Sequence, residues 1–433
     1  MAVAVEISSL FLIYLVEGGG GAFLVFYGAA KVIADRGVPY QLVHGAALNG
    51  AFPYLPWVGW VISPLTRFPY GLALALWLVL SGLAALAAAG LWARTLGWKR
   101  WWLAPLGVSV WCVLWRCLLT GQMDGVLLLI ETLALIAAYR RHLGWAGALA
   151  VAAALYKPQM LWLLPPLLGL WAFQETKLRN YLTGCGLSLL ALLGLPELAH
   201  PGITWSWLRL LPDFSSSLAT VQPDLAGISG MFRFLPSGWG LHPGLSDAPT
   251  LLLVLVGLVG IGVVLRQASR TTGGQLGSRR RLGWQVLLPL GIWFVVSPYD
   301  HTNDALTLLP LIIFVLGVDA KGITRLDSLL LITLLWLAPG AVALLSQSAI
   351  TSYLSISPLA FLALVIFAWG QFRGELTSRP AQPSGAPPLN GVQSALPERA
   401  LRHSRIPMRP ASRPNLTRPG RSSRRRAVPP PTS

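Results

Sequence analysis

Charge in this chain is confined to short links between long apolar runs, and that pattern restricts the fold more than any single residue does. A helix that crosses a bilayer needs about 20 apolar residues and few or no charges. Such runs recur from Val3 to Phe372, with links of a few residues between most of them. Composition closes the alternatives. The 433 residues are 54% hydrophobic and only 11% charged, against roughly 25% charged in soluble domains. A soluble fold of this make-up would expose apolar patches far larger than soluble monomers tolerate. The composition likewise excludes a collagen-like chain and a disulfide-stapled secreted module. The expectation is an all-α, polytopic helical membrane protein.

About twelve spanning helices are expected, centred near residues 9, 82, 109, 131, 149, 166, 189, 258, 290, 311, 336 and 364. Charge tests this register. Every second link is basic: Arg94, Lys99 and Arg100; Arg140 and Arg141; Lys177 and Arg179; Arg266, Arg270 and Arg279 to Arg281; Lys321 and Arg325. The other links hold Lys31, Arg36, Arg67, Arg116, Lys157, Arg209 and Arg233 over much greater lengths. Short basic loops mark the cytoplasmic side, so both termini are placed there, in a multi-pass protein of the plasma (inner) membrane. The first span is short, since Val3 to Val16 reaches only about 21 Å at 1.5 Å per residue.

Two outer-face segments, about 17 to 70 and 197 to 249, are read as long loops of the functional kind, mixing Pro, Gly, aromatic and a few charged residues. Residues 1–372 form the expected membrane domain, and 373–433 a disordered basic cytoplasmic tail. The tail holds twelve of the 33 basic residues and only Glu375 and Glu398, so ten of the seventeen net positive charges lie there. An anionic lipid leaflet is its expected partner, not nucleic acid. Cys112, Cys117 and Cys185 show no metal spacing, and no metal or cofactor motif is present.

Polar residues at membrane depth or at its face carry the information about function. Apart from Glu131, read as a packed structural group, they gather on the outer side. They are Asp35, Gln122, Asp124, Lys157, Asp300, His301 and Asp304, with Asp213 and Asp224 in the second long segment. Asp124 in the first turn of its helix either complements the helix dipole or holds a sugar hydroxyl. Lys157 either snorkels to the interface or neutralises a phosphate at headgroup level.

Several strings, taken in order, resemble one family. They are Phe23-Leu24-Val25-Phe26-Tyr27-Gly28-Ala29-Ala30, Gly37-Val38-Pro39-Tyr40, Phe52-Pro53-Tyr54-Leu55-Pro56 and Ser63-Pro64-Leu65. Gly121-Gln122-Met123-Asp124, then Ala146-Gly147 through Lys157-Pro158, follow. Val221-Gln222-Pro223-Asp224-Leu225-Ala226-Gly227 and Ser297-Pro298-Tyr299-Asp300-His301-Thr302-Asn303-Asp304 complete the set. Their order over residues 20 to 310 is similar to that of glycosyltransferase family 87, among the C-fold glycosyltransferases that use polyprenol-phosphate mannose.

That resemblance implies inverting transfer of a hexose, such as mannose, from a polyprenyl-phosphate donor to a glycan or glycolipid acceptor on the outer face. It implies substrate contacts at Tyr27, Tyr40, Tyr54, Gln122, Asp124, Lys157 and Gln222. The family's catalytic Asp precedes the aromatic pair Phe26-Tyr27, and the matching position here is Ala22. The base is then expected at Asp304, Asp300 with His301, or Glu17. The alternative function is a transporter, or a non-catalytic transferase-like protein that binds lipid or glycan. A transporter should show two related halves, and no internal repeat is found between residues 1–200 and 201–372.

Overall fold

The computed structural model describes residues 20–35, 37–40, 52, 54–218, 228, 247–270, 278–297, 302–317 and 356–377. These residues are helical with short connections, and no strand occurs among them. In chain order the main helices are α1 (Gly21–Ala34), α2 (Pro56–Ile62), α3 (Tyr70–Thr95), α4 (Leu103–Ser109), α5 (Cys112–Thr120), α6 (Asp124–Tyr139) and α7 (Leu143–Tyr156). Then follow α8 (Leu164–Gln174), α9 (Leu178–Ala199), α10 (Ile203–Leu218), α11 (Asp247–Arg270), α12 (Leu288–Val296), α13 (Leu309–Gly317) and α14 (Ile356–Thr377). A 3₁₀ segment, Thr302–Leu308, leads into α13.

Each expected span centre that falls in described residues meets this helical framework, from 82 on α3 to 364 on α14. The centres near 9 and 336, and the basic tail beyond Thr377, lie outside the described residues. By length and apolarity α3, α9 and the Ala248–Arg270 part of α11 can each cross a membrane, and α4 with α5 forms a broken fourth candidate bent by 57°. The two long segments read as loops, 17–70 and 197–249, contain helices. Their described parts are largely helical, with α1 and α2 in the first and α10 in the second.

The packing is inverted relative to a soluble bundle. On α3 the buried residues are mostly small, including Ala73, Ser81, Ala84, Ala85, Ala88, Ala89 and Gly90, while Leu72, Leu76, Val79, Leu80 and Leu83 are exposed in a stripe at helical spacing. Hydrocarbon solvates leucine as well as a neighbouring helix does, so close backbone approach decides which face is buried. Glycine makes the approach closest at two crossings. A Cβ on Gly125 of α6 would strike the Ser81 carbonyl oxygen of α3. A Cβ on Gly184 of α9 would strike the Gly144 carbonyl of α7, and one on Gly147 would strike that of Tyr181. The Ala146-Gly147 string is thus a helix contact.

The basic links meet one another at one end. Arg141 Nη2 lies 3.3 Å from Glu175 Oε2, and Arg281 pairs with the other oxygen of Glu175. The Arg281 guanidinium also stacks over the Trp171 ring at 4.4 Å. Arg279 donates to the Gly317 carbonyl at 2.8 Å. At the other ends of these helices the chain closes differently. Gly20 N–H donates to Leu119 O at 2.6 Å, and Tyr70 donates to the Gly20 carbonyl at 3.1 Å.

Candidate active site

Three chain breaks converge at that second end. Gly121 ends α5 in the left-handed region, φ 74°, and a Cβ there would meet Phe23 Cβ at 2.7 Å. The chain reverses within a few residues, held by Trp77 Nε1 donating to Gly121 O at 3.1 Å, and Asp124 becomes the first residue of α6. Pro158 supplies the second break. Proline pushes its predecessor out of the α region, and Lys157 has φ −129° and ψ 78° at the C-terminal end of α7. The third is the 3₁₀ segment, where the Thr307 hydroxyl donates to the Asp304 carbonyl at 2.8 Å.

These breaks bring Asp124, Lys157 and Asp304 together. Lys157 Nζ lies 2.5 Å from Asp124 Oδ1 and 2.5 Å from Asp304 Oδ1. Both carboxylates have no solvent exposure and Lys157 has 3%. The lysine therefore does not snorkel, and the Asp124 carboxylate is bound to an ammonium instead of serving only the helix dipole. Charged hydrogen bonds of this kind are short and roughly twice as strong as neutral ones. One ammonium thus joins two carboxylates from different helix ends in a buried site.

Aromatic residues border the cluster. Tyr54 stacks on Tyr156 with centroids 5.3 Å apart and an interplanar angle of 12°. Burial, together with Asp124 and Asp304 and against the opposing effect of Lys157, pushes the Tyr54 hydroxyl up to about 12, so it stays a proton donor at neutral pH. Trp57 of α2 meets Tyr156 edge-on at 6.2 Å. Behind Lys157, Trp293 of α12 donates to the Gln159 carbonyl at 2.7 Å.

The other expected residues fall into three groups. Tyr27 donates to Phe68 O at 2.8 Å and Tyr40 to Tyr54 O at 2.7 Å, so both hydroxyls brace the segments that carry Tyr54. Gln122 is half-buried, and its carbonyl accepts from Ser81 Oγ at 3.4 Å. Glu17, Gln222, Asp300 and His301 lie outside the described residues. Ala22 stands in the first turn of α1, next to Phe23, which touches the Gly121 turn just ahead of Asp124. Tyr156 was not singled out from the sequence. Its only signal there is its position immediately before Lys157-Pro158.

A buried carboxylate beside a cation and phenol donors can accept the proton of an attacking hydroxyl and offset charge on a departing anion. Comparison with known proteins bears on which reaction uses it. The family model described as glycosyltransferase family 87 matches residues 52–298, a stretch that holds Tyr54, Asp124 and Lys157 and stops short of Asp304. No curated protein and no solved structure matches the chain.

Proposed function

Because the chain belongs to glycosyltransferase family 87, we propose that it moves a hexose, such as mannose, from a polyprenyl-phosphate donor to a glycan or glycolipid acceptor on the outer face of the plasma membrane. In this reading the chain is multi-pass, with about twelve spans and both termini cytoplasmic. The observation that carries it is the buried Asp124–Lys157–Asp304 cluster.

Lys157 is the cation for the donor phosphate, although two carboxylates hold it in the structure. An incoming phosphate competes for the ammonium, and the carboxylate it displaces becomes available as a base. Asp304 takes that part, with Asp300 and His301 beside it in sequence and Glu17 as the alternative from the first outer segment. The acceptor oxygen forms a bond to the anomeric carbon as the bond to phosphate oxygen breaks, with inversion. The acceptor proton passes to the carboxylate, and the electron pair leaves on the phosphate facing Lys157. Asp124, Tyr54, Gln122 and Gln222 hold sugar hydroxyls, and Tyr27 and Tyr40 support that wall.

Turnover by purified, reconstituted protein with a synthetic polyprenyl-phosphate hexose tests the assignment. Loss of a general base lowers the rate by about 10²–10⁴-fold, so Asp304→Asn is expected to fall by that range. Ala22→Asp restores a carboxylate where the family carries one and is expected to raise turnover. If neither variant differs from wild type in a preparation that transfers sugar, the chemistry lies elsewhere.

A further inference from the structure

We propose that α10 lies in the plane of the membrane surface, with Trp205 and Leu208 set into the headgroup–acyl boundary of the leaflet on the site's side. The helix starts within four residues of Ala199, where the apolar α9 ends. The corner between them is built from specific bonds. Glu197 Oε1 accepts from the Gly202 N–H at 2.5 Å and Oε2 from the Thr204 N–H at 3.1 Å. Gly202 itself is left-handed, φ 84°. One carboxylate thus caps the first turn of α10 and ties it to the last turn of α9.

Both α10 and the helix before it carry an exposed apolar face. On α9, Leu187, Leu190, Leu195 and Leu198 are exposed, Leu198 by 82%. Just past the corner, Trp205 is 56% and Leu208 43% exposed, while Ile203 and Leu210 on the opposite face are buried. A leucine surface on a membrane-crossing helix faces acyl chains, so an exposed apolar face tied to the end of that helix stands at headgroup level. The chemistry fits that depth. Tryptophan concentrates at membrane interfaces because its ring is apolar and its N–H is polar. The Arg209 guanidinium lies 5.3 Å over the Trp205 ring, within reach of lipid phosphate. In-plane helices combine these features: an apolar stripe set into the boundary and basic residues at its edge.

The placement has a structural consequence. α10 packs on α2, and α2 carries Trp57 against Tyr156, the neighbour of Lys157. A helix resting on the leaflet therefore sets the depth of the buried charge cluster through α2, Trp57 and Tyr156.

Site-directed spin labelling of the full chain in phosphatidylethanolamine–phosphatidylglycerol vesicles tests this. Cys112, Cys117 and Cys185 are first replaced by Ser. Labels are placed at Trp205→Cys and Leu208→Cys, with Arg140→Cys in an exposed link as the aqueous reference. At residues 205 and 208 the ratio of oxygen accessibility to nickel-chelate accessibility is expected to exceed the reference several-fold, with both labels at one depth. Nickel accessibility equal to that at 140 overturns the proposal. So does a difference in depth equal to the helix rise, about 4.5 Å over three residues, which marks an upright helix. Shielding from both reagents places a protein surface there instead, such as a second copy, and also overturns it. If Trp205→Cys does not fold, the accessibility ratio at Leu208→Cys against that at residue 140 decides by itself whether this face meets lipid.

Discussion

Lys157 lies 2.5 Å from an oxygen of each of two carboxylates that solvent does not reach, so its removal takes a charged partner from both at once. Breaking a buried pair by deleting one partner costs about 3–5 kcal/mol, because the remaining charge is left uncompensated. Lys157→Met is expected to lower stability by about that much in detergent-solubilised thermal unfolding. Adding Asp124→Asn and Asp304→Asn to the same variant should recover most of the loss and none of the activity. A snorkelling lysine would give a near-neutral Lys157→Met instead. Tyr54 makes a separate prediction. Its hydroxyl is raised from 10.0 to about 12 by burial, so the unfolded chain gives up this proton at a lower pH than the folded one. The stability it contributes is full below pH 10 and is lost as pH rises through about 12. Tyr54→Phe should therefore show a shallower alkaline loss of unfolding temperature than wild type. Asp124, Lys157 and Asp304 were each conspicuous in the sequence as polar groups among apolar runs. Their mutual contact was not, because 33 and 147 residues separate the partners and no local periodicity encodes which helix ends meet.

Long apolar runs located the helices, while their joints came from packing. The run centred near 109 reads as one span, yet α4 and α5 meet at 57°. No proline or glycine lies between Ser109 and Cys112 to announce the bend. It is held instead by bonds such as Trp115 Nε1 to the Ser109 carbonyl at 2.8 Å. α1, α2 and α10 were similarly hidden in segments rich in turn residues, where helix formation depends on what the segment packs against. The crossing of α7 and α9 allows an internal control at this scale. A Cβ on Gly184 meets the Gly144 carbonyl, whereas one on Gly186 meets nothing within 4 Å. Gly184→Val is expected to destabilise by at least the usual overpacking cost of about 1–3 kcal/mol, and Gly186→Val to leave the unfolding temperature close to wild type. Equal effects from the two would mean that the helices do not approach at Gly184.

At the scale of the whole molecule, the two ends of the bundle differ in charge and in purpose. Arg141, Glu175, Arg281 and Arg279 bind one another or nearby carbonyls at one end, and the Asp124–Lys157–Asp304 cluster lies on the opposite ends of those helices. The excess of Lys and Arg in short loops sets orientation during insertion, with the basic side retained in the cytoplasm. On the topology proposed above the site faces outward, and the proposed lipid-linked donor would present its phosphate in the outer leaflet. Cysteine scanning in right-side-out vesicles separates the two orientations, after Cys112, Cys117 and Cys185 are replaced. Arg141→Cys and Leu276→Cys should resist a membrane-impermeant maleimide until the vesicles are opened, whereas Ser216→Cys, on the same face of α10 as Trp205, should react from outside without opening, at the slower rate of an interfacial site. Immediate labelling at 276 would turn the molecule over and place the transferase site on the cytoplasmic side. Such a result would leave the charge cluster intact and change the donor pool, since substrate would then come from the inner leaflet. Labelling at both 216 and 276 from outside would instead require an even number of crossings between them, against the odd number that α11 supplies as the single candidate span described in that interval.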